Sequence, residues 1–183
     1  MNNVIHVLGA SGSGTSTLGR EISNTYGFKH LDTDDYYWLP TNPPYTTPRE
    51  VESRIQLIQE EIDNNDKIVL TGSLCGWGDV FIPLFHLVIR VITSTDIRID
   101  RLKNREFMNF GERIKPGGDM YNDHTNFLQW AAEYDVGDIN MRSKALHDEW
   151  LKMVTCKQLI VDGSKPMDEL ISEIEKIYPK LTL

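Results

Sequence analysis

The run Val4-Ile5-His6-Val7-Leu8, then Gly9-Ala10-Ser11-Gly12-Ser13-Gly14, then Thr15-Ser16-Thr17, decides the fold of this chain. Five mostly apolar residues ending in glycine read as a short buried strand of a parallel sheet. Leu18 and Ile22 lie four apart and Gly27 marks a stop, so residues 15–26 read as a helix. Between strand and helix, the glycines permit positive φ angles and let the backbone approach a ligand closely. The free N–H groups and positive dipole end of the helix face that loop, which suits it to an anion such as phosphate.

Working outward, the same alternation recurs. Lys29–Asp32, Lys67–Thr71, Leu87–Ile92 and Gln158–Val161 read as further strands. Val51, Ile55, Ile58 and Ile62 mark one face of a helix over Glu50–Asn64. Further helices are expected over Asp96–Arg105, 125–135 and 140–154, with a last one marked by Leu170, Ile171, Ile174 and Ile177. Pro40, Pro43, Pro44 and Pro48 make residues 41–48 a loop. Residues 108–124, rich in glycine and polar groups, read as a mobile lid segment, with the lid as a whole over about 104–130. The expectation is an α/β fold, a single domain over residues 1–183: a five-stranded parallel sheet flanked by helices with a small helical or loop lid. In such sheets the ligand lies beyond the carboxyl ends of the strands.

The stretch Gly9–Thr17 resembles the Walker A motif of P-loop proteins, with Thr15 where lysine is expected. The resemblance implies a P-loop nucleoside triphosphate hydrolase fold that binds ATP and Mg²⁺. It assigns Gly9, Ser11, Gly12, Ser13, Gly14, Thr15, Ser16 and Thr17 to nucleotide binding and the Ser16 hydroxyl to the metal. The lysine normally neutralises the β- and γ-phosphates during transfer. Its absence leaves two readings: an arginine of the basic segment supplies the charge, or the protein binds nucleotide without efficient chemistry.

Acidic groups crowd the tip of the second strand in His30-Leu31-Asp32-Thr33-Asp34-Asp35-Tyr36-Tyr37. Phosphoryl transfer uses carboxylates to orient or deprotonate the accepting hydroxyl and to complete a magnesium shell. Strand alternation places Asp32 and Asp34 on one side. The triplet Asp32-Thr33-Asp34 resembles the shikimate kinase family, and Asp34-Asp35-Tyr36-Tyr37 is similar to segments of nucleoside kinases. These resemblances imply Asp34 as catalytic base and Asp32 as metal partner, with Asp35 the alternative base. A solvated acidic turn that caps a helix is the competing reading.

The third strand end, Thr71-Gly72-Ser73-Leu74-Cys75-Gly76-Trp77-Gly78, has Thr71 where a Walker B-type aspartate is expected. Trp77 is either a wall of the acceptor pocket or core. Arg98, Arg101 and Arg105 are spaced three and four apart and share a helix face. Their segment, with Arg113 among glycines, looks like the lid of nucleoside monophosphate kinases. That likeness implies catalytic roles for Arg105 and Arg113, nucleotide binding by Arg101, and a further arginine at Arg142. Val161-Asp162-Gly163 is similar to the turn that wraps adenine in that group, which assigns Gly163 to the nucleotide. His6, His30, His86, His124 and His147 show no metal spacing and receive no role.

The formal net charge of -8 argues against nucleic acid or a membrane surface as partner. Cys75 and Cys156 lie far apart without metal-ligand spacing, and no signal peptide is legible, so a reducing cytoplasmic location is expected. The expected function is transfer of the γ-phosphoryl group of ATP to a small-molecule or nucleoside hydroxyl, by a monomer or homodimer. One alternative is a nucleoside monophosphate kinase, which needs an extra cationic site such as Arg49 or Arg54. Another, of a different class, is a non-catalytic nucleotide-binding regulator.

Overall fold

The computed structural model describes residues 3–179. Its frame is a five-stranded parallel sheet: β1 (Asn3–Gly9), β2 (Lys29–Asp32), β3 (Lys67–Thr71), β4 (Phe85–Ile92) and β5 (Lys157–Asp162), in the order β2-β3-β1-β4-β5. Parallel neighbours require long crossovers, and helices supply them. They are α1 (Thr15–Tyr26), α2 (Thr33–Tyr37), α3 (Val51–Asp63), α4 (Thr95–Phe110), α5 (Tyr121–Ala132), α6 (Lys144–Leu151) and α7 (Met167–Ile177).

Period-2 alternation along β1 divides the core into two layers. Ile5 and Val7 join Leu87 and Ile89 of β4 against Leu18 and Ile22 of α1 and Leu170 and Ile174 of α7. Val4 and Leu8 face the other way, onto Ile58 and Ile62 of α3 and Trp150 of α6. The sheet is therefore covered on both faces, as its apolar strands demand.

Register brings the strand ends into one row. Val7 lies opposite Thr71, Asp32 opposite Thr71, Gly9 opposite Val91, and Ile92 opposite Asp162. Each sequence motif noted above thus opens on the same edge of the sheet.

Three local expectations change. β4 starts two residues earlier than expected, at Phe85, because a register shift between Val4 and Ile5 lets it continue past His86. The lid segment is more helical than its composition suggests: α4 runs to Phe110, a 3₁₀ turn covers Gly111–Ile114, and α5 begins at Tyr121. Third, β2 stops at Asp32 and the chain enters α2, so alternation no longer relates Asp32 to Asp34. No helix among the described residues is long and apolar enough to cross a membrane.

Candidate active site

The phosphate loop leaves β1 at Gly9 and enters α1 at Thr15. Gly12 and Gly14 have φ of 79° and 105°, values that a side-chain-bearing residue rarely adopts. The loop closes on itself through Ser13 N–H donating to the Ala10 carbonyl, 3.1 Å. The Thr93 hydroxyl, just beyond β4, donates to the Ser13 carbonyl at 3.0 Å. Two polar atoms here are buried with no hydrogen-bond partner among the described residues: Ser13 Oγ and Arg142 Nε. Unpaired buried donors are costly, and a phosphate oxygen would satisfy them. Thr15 brings no charge, and Thr17 is exposed on the first turn of α1.

Ser16 and Asp32 meet directly, the Ser16 hydroxyl donating to Asp32 Oδ2 at 2.6 Å. The other carboxylate oxygen, Oδ1, accepts the Asp34 N–H at 3.2 Å and so caps α2. The expected helix cap is therefore present, and it is compatible with the functional reading. The cap, rather than strand alternation, fixes Asp34 in the first turn of α2. A hydroxyl and a carboxylate side by side are hard oxygen donors. No cluster of three or more His, Cys, Asp or Glu that could hold a metal occurs among the described residues. That sparse set fits Mg²⁺, which keeps waters and phosphate oxygens in most of its shell.

Asp34 is open to solvent yet ringed by protein. The crowding raises its pKa above the usual carboxylate range. Arg142 and Arg105 pull it down and Asp32 pushes it up, so both guanidinium groups act on this carboxyl. Asp35, the alternative base, is pushed up by desolvation and then by Asp32.

The structure distributes the arginines unequally. Arg101 bridges the phosphate loop to the last turn, donating to the carbonyls of Ser13 (3.4 Å) and Gly163 (3.0 Å). A Cβ on Gly163 would stand 2.4 Å from the Ser13 carbonyl oxygen, so glycine there lets the two segments touch. Arg105 is half-exposed and pairs with Glu106 at 3.3 Å. Arg113 is turned to Asp119, 2.7 Å, and to Asn42 Oδ1, 3.3 Å, which ties the lid to the proline loop. Arg98 is fully buried, its guanidinium bound to the Thr93 and Ala131 carbonyls and to Asp135. Arg142 donates to the Gly9 carbonyl at 3.3 Å.

Beyond α2, Arg54 is buried with its guanidinium carbon 3.8 Å from the Tyr37 ring centroid and 5.5 Å from that of Trp77. Trp77 is partly buried, packs on the core edge and meets the Tyr37 ring edge-on. Arg49 donates to the Tyr36 carbonyl. Thr71 Oγ1, at the Walker B position, hydrogen-bonds His30 Nε2 at 2.9 Å.

Sequence reasoning missed two features and underweighted a third. Tyr45, at φ 62°, hangs from the proline loop where Asp34 and Arg105 both act on its phenol. Arg142 is more central than its isolated position suggested. His147, given no role above, sits between Tyr134 and Ser73. Proline density was the only signal for the first, the likeness to the nucleoside monophosphate kinase lid was a weak one for Arg142, and His147 had none.

Known proteins extend this picture. Residues 5–115 match the AAA domain family. The uncharacterized protein YqaC of Bacillus subtilis is 39% identical over 174 residues, covering 95% of this chain and 96% of its own. A cytidylate kinase from Thermococcus kodakarensis is 33% identical over 136 residues, covering 64% and 68% of the two chains. Among solved structures, a shikimate kinase from Bacteroides thetaiotaomicron superposes with TM-score 0.58 at 12% identity, over 97% of this chain and 98% of its own. A gluconokinase from Sinorhizobium meliloti gives TM-score 0.54 at 16% identity, over 98% and 93%. With the phosphate loop, sheet order and strand-end row in place, these matches make the chain a member of the AAA domain family, within the P-loop kinase group.

Proposed function

We propose that the chain is a Mg-ATP-dependent phosphotransferase that moves the γ-phosphoryl group to a hydroxyl of a small acceptor. The observation that carries this reading is the linked set Ser16–Asp32–Asp34: one hydroxyl, one carboxylate bonded to it, and a second carboxylate placed by the first. Ser16 and Asp32 would hold Mg²⁺, which when bound neutralises phosphate oxygens. Backbone N–H groups of residues 12–16 cradle the phosphates, and Arg101 holds the loop against Gly163, where the base would lie. Asp34 orients the acceptor hydroxyl and takes its proton, its raised pKa making it a stronger base than a solvated carboxylate. Arg142 and Arg105 supply the positive charge that the phosphate loop itself lacks. Positioning and charge neutralisation then suffice for the chemistry.

A nucleoside monophosphate acceptor is favoured by one observation. Arg54 is buried against Tyr37 and Trp77 with no carboxylate paired to it among the described residues, as a phosphate-binding cation would be. The cytidylate kinase likeness supports the same reading.

The test is ADP release from Mg-ATP by purified protein against a panel of nucleosides, nucleoside monophosphates including cytidylate, sugars and small hydroxy acids. Acceptor-dependent release is expected, and Asp34→Asn should lower it by roughly 10²–10⁴-fold with ATP affinity retained. Tight nucleotide binding with no stimulation by any member, and identical behaviour of the variant, would favour a nucleotide-binding regulator.

A further inference from the structure

A line of buried polar groups joins α6 to the third strand end, and nothing in the phosphoryl-transfer reading uses it. His147 on α6 has no exposed surface. Its Nδ1 lies 2.8 Å from the Tyr134 hydroxyl, and its Nε2 lies 3.4 Å from the Ser73 hydroxyl. On its far side the Tyr134 phenol faces the Arg90 guanidinium, itself held by Asp148. Burial, then the charges of Arg142 and Arg90, lower His147 to about 3. The ring is therefore neutral at ordinary pH and carries a single N–H.

Which nitrogen carries that proton follows from the neighbours. Arg90 offers only donors, so the phenol oxygen turns its lone pairs to the guanidinium and its own proton toward Nδ1. Nδ1 is then the bare nitrogen, and Nε2–H donates to Ser73 Oγ. Having accepted there, the Ser73 hydroxyl has its own proton left to donate. Within the protein the group that feels this hydroxyl is the Cys75 thiol, which it pulls down against the upward push of burial. Sulfur is a weak acceptor, and a ligand oxygen outcompetes it.

Ser73 is partly exposed at the end of β3, beside the start of α2. Its neighbour Gly72 is packed so tightly under Thr33, the first residue of α2, that a Cβ would stand 1.8 Å from the Thr33 hydroxyl. The Ser73 carbonyl accepts from the Trp77 indole at 3.1 Å, which fixes the turn. The charge of Arg142 acts at once on Asp34, Cys75 and His147, so all three lie within electrostatic reach of one guanidinium.

We propose that Ser73 binds the phosphate acceptor as a dedicated hydrogen-bond donor, held in that sense by the positioning residues Tyr134 and His147. The proposal rests on the phosphotransferase reading and adds to it a requirement on the acceptor. At this point the acceptor presents a lone-pair oxygen (hydroxyl, carbonyl, carboxylate or phosphate) and not an N–H. An ammonium or amide nitrogen placed there leaves the Ser73 proton without an acceptor and is bound more weakly.

Long-range proton–nitrogen NMR of the wild-type protein reads the histidine tautomer directly. A neutral Nε2–H ring for His147 is expected from about pH 5 to about pH 8. In Tyr134→Phe that preference should be lost. Kinetics with the panel member that stimulates ADP release form the second arm. Ser73→Ala should raise the acceptor KM about tenfold, the size of one hydrogen bond, with kcat and the KM for ATP little changed. Tyr134→Phe should shift the acceptor KM in the same direction, whereas a purely structural loss would move both KM values together. A charged or Nδ1–H ring, or an unchanged acceptor KM in Ser73→Ala, overturns the proposal. Absence of acceptor-dependent turnover in wild-type protein whose His147 is Nε2–H fails the phosphotransferase reading, and the acceptor contact with it. A wild-type protein that turns over with an Nδ1–H ring fails the present proposal alone.

Discussion

Thr15 leaves the first turn of α1 without the charge that a lysine would bring to the phosphates. Arg142 approaches the same loop from α6's side: its Nη2 bonds the Gly9 carbonyl, and its Nε is buried without a partner beside a phosphate loop whose Ser13 Oγ is also unpaired. Two orphaned donors at one loop call for an anion between them. If Arg142 stands in for the lysine, Arg142→Ala should lower kcat about 10²-fold, the worth of one fixed donor to developing charge. Thr15→Lys added to Arg142→Ala should then recover much of that loss in the same ADP-release assay. No recovery, with both variants folded and binding ATP, would mean that the position of the charge matters more than its presence, or that Arg105 carries the task. This substitution pattern was half legible in the sequence. The missing lysine shows in the motif itself. The arginine that would replace it lies 127 residues further along, and only folding brings the two together.

At the scale of elements, α4 shows how spacing informs and misleads. Arg98, Arg101 and Arg105 do share a face, but spacing says nothing about what covers it. The first turn is sealed under Ala131 and Tyr134, so Arg98 is an internal tie, with Nε on Thr93, Nη1 on Ala131 and Nη2 on Thr95 and Asp135. Its guanidinium also lies 5.3 Å from the Tyr134 ring centroid. Arg101, one turn on, is at the surface of the phosphate loop. Replacing Arg98 by methionine should therefore cost roughly 3–5 kcal/mol in urea unfolding, the range for breaking a buried, fully bonded charge. Arg101→Met should cost less than about 1 kcal/mol and weaken ATP binding instead. Weakened ATP binding without lost stability in Arg98→Met would return that residue to the basic phosphate face expected from its spacing. The elements whose pattern is local and regular were legible, α1, β2 and β3 to the residue and β1 to within one residue at each end. α2 was not, because five residues give no helical period. Nor was the α6 contact to Ser73, which joins positions 74 apart.

Across the whole molecule, the central strand of the sheet carries a pH liability. β1 lies between β3 and β4, and His6 in its middle is fully buried, stacked on Phe85 with centroids 5.0 Å apart and meeting the Trp150 ring edge-on at 5.5 Å. Its Nδ1–H donates to the Leu70 carbonyl, and its Nε2 is buried without a partner. Burial lowers its pKa to about 4, and that of His147 to about 3, against 6.5 when unfolded. Between those values the unfolded chain binds protons that the folded chain refuses, so stability is complete above about pH 6.5 and falls as the pH is lowered toward 4. For His6 alone the full loss is about 3 kcal/mol. The raised carboxyl of Asp34 works the other way, since the folded state holds that proton more tightly. Its partial exposure keeps the offset small. Urea midpoints should therefore decline steadily from pH 7 to about pH 4.5, and His6→Leu should flatten part of that slope. A midpoint indifferent to pH in this window would mean that water reaches both rings. The two-layer core beneath the active-site edge would then be far looser than its packing implies.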